Sequence, residues 1–273
     1  MSFKKLTPWF KNVFNIIDST CYEMGIQLYL IGAQARHFHL AEQGIKPGRG
    51  TMDIDFAIML PDIKVYDKLI ETLLKKGFSK AKEAHRIIYD KTVTVVDILP
   101  FGKLEEKGTV KFTDRKTELS VIGLKEALAK PDVKNFDKET TVQVTPLEGL
   151  IVLKLISYYE KPGRTKDLED IREILVNYFL LNQNRFYENH LNMLDEFSDN
   201  NFTIEAGAWL AGNDIRFILN RNRELKELIL NILKREIKTD TGGISSYLYG
   251  KGYFSDVDSI KRIFRLMIKG ITQ

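Results

Sequence analysis

The sequence predicts an α+β fold: an N-terminal mixed sheet flanked by helices, then a C-terminal helical bundle. Two observations carry this. Short alternating or apolar strand-like runs recur up to residue 144, and no β-like alternation of any length follows. Beyond Pro146 the apolar residues fall instead at helical spacing. The predicted domains are therefore 1–145 and 146–273.

The elements follow in order. Leu6, Phe10, Val13, Phe14 and Ile17 recur at helical spacing, so a helix spans 4–24. The apolar run 26–31 reads as a strand ending at Gly32, and a helix over 33–43 closes at Gly44. The breaker-rich segment 44–50 is a loop. From 52 to 60 the chain alternates: Met52, Ile54, Phe56, Ile58 and Leu60 share one face, Asp53 and Asp55 the other. Pro61 opens a helix to about 76, with Gly77 as its stop. Strands are expected at 85–89, 92–99, 119–122 and 140–144, with a polar loop or hairpin over 101–117. The second half predicts helices over 147–159, 166–181, 183–197, 203–219, 224–237 and 256–268.

Composition narrows the class. The 273 residues are 44% hydrophobic with 41 Lys+Arg against 37 Asp+Glu, an ordinary globular balance that argues against disorder. Cys21 is the only cysteine, which excludes a disulfide scaffold and a cysteine-rich zinc site. No run of eighteen apolar residues exists, so no membrane helix is expected. The first twenty residues lack the apolar core and small-residue cleavage site of a signal peptide, so the expected compartment is the cytoplasm. Charge is unevenly placed. Residues 215–273 hold twelve Lys/Arg and six Asp/Glu, a net +6 within a chain of net +4. That suits either a solvated helix face or a surface that attracts polyanions.

Three features of the first half combine into chemistry. A strand ends at Gly32-Ala33 where a helix begins, and helix N-terminal N–H groups favour phosphate. Asp53 and Asp55 share one face of a strand, and paired hard oxygens suit Mg²⁺ together with phosphate oxygens. Asp97 is a lone carboxylate in the apolar run Val95-Val96-Asp97-Ile98-Leu99, where an unpaired charge is costly. An ion shared with Asp53 and Asp55 would supply its partner; a salt bridge to Arg86 or Lys91 is the alternative.

Gly32-Ala-Gln-Ala-Arg36, Thr51-Met-Asp-Ile-Asp-Phe-Ala57 and Val96-Asp-Ile-Leu-Pro-Phe-Gly102 together resemble the DNA polymerase β-type nucleotidyltransferase superfamily, nearest the AbiEii/AbiGii abortive-infection toxin group. Lys154 within 146–154, followed by Arg164-Thr-Lys-Asp167-Leu-Glu-Asp170, is similar to that group's helical motif. One departure stands out: Gly32-Ala33 replaces the usual Gly-Ser or Gly-Gly, which loses a hydroxyl but keeps the backbone N–H groups.

The resemblance implies a nucleotidyltransferase-type sheet domain and metal-dependent transfer of NMP from an NTP to an acceptor hydroxyl. The acceptor would be RNA such as tRNA, in a toxin–antitoxin or phage-defence setting with a protein antitoxin as partner. It implies Asp53, Asp55 and Asp97 as catalytic ligands of Mg²⁺ or Mn²⁺, with Gly32 and Ala33 cradling the triphosphate. Arg36, Lys154, Asp167 and Asp170 are the further nucleotide-binding candidates. Each has a plainer reading: Arg36 as a solvated helix residue, Lys154 in a salt bridge to Asp167 or Asp170. Arg86 reads either as a charge partner of Asp97 or as an exposed strand residue. Two alternatives remain open: a small-molecule nucleotidyltransferase of the antibiotic-modifying kind, and an inactive nucleotide- or RNA-binding module.

Other signals carry less. His37 and His39 are two apart on a helix and point apart, so they read as surface or packing residues. Gly242-Gly243 and Gly250-Lys251-Gly252 lack phosphate-loop spacing and read as a helix–helix loop. Tyr247, Tyr249 and Tyr253 beside Lys251 could stack on unpaired bases, but loop aromatics more often pack locally.

Overall fold

A computed structural model describes residues 8–46, 52–113, 117–136, 140–238, 243–254 and 256–273. Two compact units divide at residue 146, Met1–Pro146 and Leu147–Gln273.

The first unit runs α1 (Pro8–Glu23), β1 (Gln27–Ile31), α2 (Gly32–Glu42), β2 (Ile54–Leu60), α3 (Ile63–Lys75), β3 (Phe78–Lys80), β4 (Arg86–Tyr89), β5 (Thr94–Gly102), β6 (Thr109–Phe112), β7 (Thr117–Ser120), α4 (Leu124–Ala127), β8 (Asp132–Asn135) and β9 (Thr141–Val144). Seven strands form one mixed sheet in the order β3-β4-β5-β2-β1-β9-β8, and β6 pairs with β7 in a separate hairpin. β2 runs parallel to β5 and antiparallel to β1.

Alternation gives the sheet two chemically different faces. Phe56 meets Phe14 of α1, and Phe10 of α1 touches Phe38 of α2 and Phe136. That face is the core, sealed further by Tyr66, Leu69, Ile70 and Leu73 of α3. Asp55 and Asp97 occupy alternate positions and so project from the other face. Helix α3 begins cleanly because Asp62 accepts hydrogen bonds from the N–H groups of Lys64 and Val65.

The second unit runs α5 (Leu147–Glu160), α6 (Thr165–Asn189), two 3-10 turns, α7 (Phe202–Leu219), α8 (Arg223–Lys238), α9 (Gly243–Gly250) and α10 (Val257–Thr272). Helices α7 and α10 pack closely, since a Cβ on Gly212 would press into the backbone of Met267. Arg185 and Tyr178 of α6 both bond the Asp214 carboxylate of α7 inside the bundle. No described helix is long and apolar enough to cross a membrane.

Several expectations need correction. The helices expected at 166–181 and 183–197 are one helix to Asn189, because residues 181–183 hold no breaker, followed by a 3-10 turn at Leu191–Glu196. The segment around 243–250 is helix α9 rather than a loop, capped by the Glu236 carboxylate, which accepts the Ile244 N–H at 2.7 Å. β5 continues through Pro100 to Gly102, beyond the expected stop at 99. β4 pairs with β5 only as far as Asp97, so at Pro100 the flank away from β2 has no β4 ladder bond to lose. β3, β8 and α4 are additional elements of three or four residues each.

Candidate active site

The site begins with one row across the sheet. Ile31 of β1 pairs with Asp55 of β2, Asp55 with Asp97 of β5, and Asp97 with Arg86 of β4. Asp55 and Asp97 are therefore direct neighbours on adjacent parallel strands, with side chains on one face. Asp53 lies two residues upstream of Asp55, exposed and just outside the strand.

Helix α2 starts at the end of this row. Its first residue, Gly32, has φ +66°, and a Cβ there would collide with the Asp55 carboxylate. Glycine is thus required twice over, for the left-handed backbone and for the close approach of the acid. Its N-cap residue, Ile31, makes no side-chain cap bond, and no acid stands in its first turn. The N-terminus of α2, with Gly32 and Ala33, brings helix-dipole charge beside Asp55.

Arg86 closes the other end. Its Nε donates to Asp97 Oδ1 at 2.7 Å and its Nη2 to Oδ2 at 2.9 Å, a bidentate fork. The side chains are 33% and 13% exposed, respectively. Hydrogen bonding to Asp97 raises the Arg86 pKa further above its ordinary value despite partial burial, and Glu83 and Asp53 add to the effect. Of the two readings of Arg86 open from sequence, the structure selects the charge partner. Among the described residues, no three His, Cys, Asp or Glu side chains are arranged to hold one metal ion. The three-carboxylate centre expected from Asp53, Asp55 and Asp97 is accordingly not closed here: Arg86 engages both oxygens of Asp97, and Asp53 stands outside the strand. The donor set of carboxylate oxygens still suits Mg²⁺, which commonly takes one or two carboxylates and completes its shell with phosphate and water.

The remaining candidates lie elsewhere. Arg36 is not solvated: it is 1% exposed inside the first unit, its Nη2 3.3 Å from His37 Nε2. His39 is likewise a packing residue, its Nε2 donating to the Thr145 carbonyl at 2.9 Å. In the second unit, Lys154 of α5 bonds Asp170 at 2.5 Å and Asp167 at 3.2 Å on α6. Arg164 adds a 2.8 Å bond to Asp167. Lys154, Asp167 and Asp170 are 8%, 4% and 3% exposed, so the ion-pair reading of Lys154 is the one the structure displays. Burial alone would raise the Asp167 pKa, but Lys154 and Arg164 outweigh it and hold the carboxyl below its usual range.

Sequence alone reads Arg86 as a charge partner of Asp97 or an exposed strand residue and leaves it outside the candidate site. The signal that places it there is the hairpin: pairing Tyr89 with Thr94 across the intervening turn forces Arg86 opposite Asp97.

Two adjacent acids thus stand beside the N-terminus of a helix. The AbiEii family model, described as nucleotidyl transferase AbiEii toxin of a type IV toxin–antitoxin system, matches residues 43–239. The chain belongs to the AbiEii family and is a nucleotidyltransferase. No curated protein matches the chain. Among solved structures, the antibiotic-resistance factor ANT(2'')-Ia in solution is similar at 14% identity, over 65% of this chain and 84% of that one, with a TM-score of 0.41. ANT(2'')-Ia in complex with adenylyl-2''-tobramycin gives 15%, 65%, 90% and 0.41 in the same order. A tRNA-processing enzyme in an apo form gives 16%, 96%, 75% and 0.31.

Proposed function

We propose that the protein moves NMP from an NTP to a hydroxyl of an RNA acceptor in a metal-dependent reaction, as the toxin of a toxin–antitoxin pair. The observation that carries this is the register pairing of Asp55 with Asp97 beside the start of α2. Asp53, Asp55 and Asp97 would hold Mg²⁺ or Mn²⁺. Bound there, the ion would neutralise triphosphate charge and favour the attacking and leaving oxygens.

The chain's own residues do the rest. The N–H groups at Gly32 and Ala33 orient the phosphates. The acceptor oxygen forms a bond to the α-phosphorus while the bond to the bridging oxygen breaks. Pyrophosphate leaves with that electron pair, and Asp97 accepts the hydroxyl proton. Arg36, Lys154, Asp167 and Asp170 serve as buried support in this reading. The net +6 of residues 215–273 favours a polyanionic acceptor over a small molecule. The family description supports the toxin role and an antitoxin as partner.

The test incubates the protein with Mg²⁺, each α-labelled NTP in turn and total bacterial RNA, followed by a gel. Label should appear on RNA with wild type and be absent with Asp53→Ala/Asp55→Ala or with EDTA. Label on a small-molecule acceptor but never on RNA would overturn the acceptor assignment.

A further inference from the structure

We infer that Arg86 is an exchangeable counter-ion of the active site: it neutralises Asp97 while the divalent ion is absent and passes to the triphosphate when ion and nucleotide bind. The inference rests on the metal-dependent reading above and adds a phosphate-binding residue to it.

The geometry makes the conflict explicit. Both Asp97 oxygens accept hydrogen bonds from the guanidinium, at 2.7 and 2.9 Å. An ion that takes an oxygen of Asp97 shares that oxygen with the guanidinium and weakens its hydrogen bond. A guanidinium and a dication on one carboxylate repel each other, so entry of the ion favours release of the arginine. The arrangement is built in rather than incidental, since strand register sets Arg86 opposite Asp97.

Arg86 is a third exposed, so the released guanidinium reaches solvent and an incoming phosphate without leaving a buried core. Once released, the guanidinium needs an anion. Glu83 and Asp53 already lie within its electrostatic reach, but Asp53 is itself a prospective metal ligand. The arriving triphosphate is the densest negative charge at the site. A planar, weakly hydrated fork suits phosphate oxygens better than an ammonium does. The Asp97 pair uses only Nε and Nη2, so Nη1 takes no part in it.

Exchange predicts effects of opposite sign in one variant. Mn²⁺ binding to the full chain is followed by the electron paramagnetic resonance of free Mn²⁺, for wild type, Arg86→Gln and Arg86→Lys. Binding of an α,β-methylene NTP analogue is then measured at saturating Mn²⁺. Arg86→Gln should bind Mn²⁺ alone about threefold to tenfold more tightly, because Asp97 is free. It should bind the analogue about tenfold more weakly, because a phosphate contact is gone. Arg86→Lys should shift both constants in the same directions by less, which preserves the test should the glutamine variant fold poorly. Weakening of both constants would assign Arg86 a purely structural role and overturn the exchange, as would no change in either. Absence of Mn²⁺ binding in wild type and variants alike would instead overturn the metal-dependent reading.

Discussion

Asp97 shows how one side chain's surroundings set its role. In an apolar strand a lone carboxylate is costly, and here Arg86 offsets that cost from one side while Asp55, a like charge, adjoins it on the other. Asp97→Asn keeps the shape but loses the charge, so transfer should fall at least about a hundredfold. Gly32→Ala places a methyl group against the Asp55 carboxylate at a left-handed φ, and should cost about 1–3 kcal/mol of stability together with most activity. Thermal melts beside turnover assays read both effects. Cys21 offers a contrast, since burial, aided by Asp18, pushes its thiol up to about 12. It should resist alkylation at about pH 8 in the folded protein and react once the chain is unfolded in urea. At this scale the acids were legible because alternation is a local property. Arg86 was only half legible, because its place depends on a turn whose register no local pattern states.

Helices and strands decide where these groups stand. The turn between β4 and β5 contains Val93 at φ +53°, an unfavourable conformation for a β-branched residue. Val93→Gly should therefore raise stability by about 1 kcal/mol, read by urea denaturation. Between α5 and α6, Lys154 neutralises two buried acids. Lys154→Met would remove the ammonium from both buried acids, leaving Arg164 on Asp167, and should cost about 3 kcal/mol at neutral pH. The sign with pH follows from the depressed Asp167. Its pairing stabilises the fold above the ordinary carboxylate range and is lost as pH falls through the lowered pKa. Acid also relieves the variant by protonating the carboxylates that have lost the lysine, so the gap between variant and wild type should narrow from about pH 7 to about pH 4. The sequence revealed long periodic helices and missed α9, because its cap is Glu236 on α8, several residues away. It also missed β3 and β8, which are too short to show a period.

Across the whole chain, strand-like runs stop near residue 144 and only helical spacing follows, and a unit boundary falls at residue 146. That switch was visible because the two periodicities differ. Which carboxylates would share an ion was less visible, because strand order and register arise only when the whole sheet forms. The central claim is that the Asp55–Asp97 row carries out nucleotide transfer. Its most direct test is pyrophosphate release from NTP with Mg²⁺ and total RNA, comparing wild type with an Asp97→Asn variant of unchanged circular dichroism. The account predicts release by wild type that EDTA abolishes and the variant lacks. Equal release by the variant would contradict it.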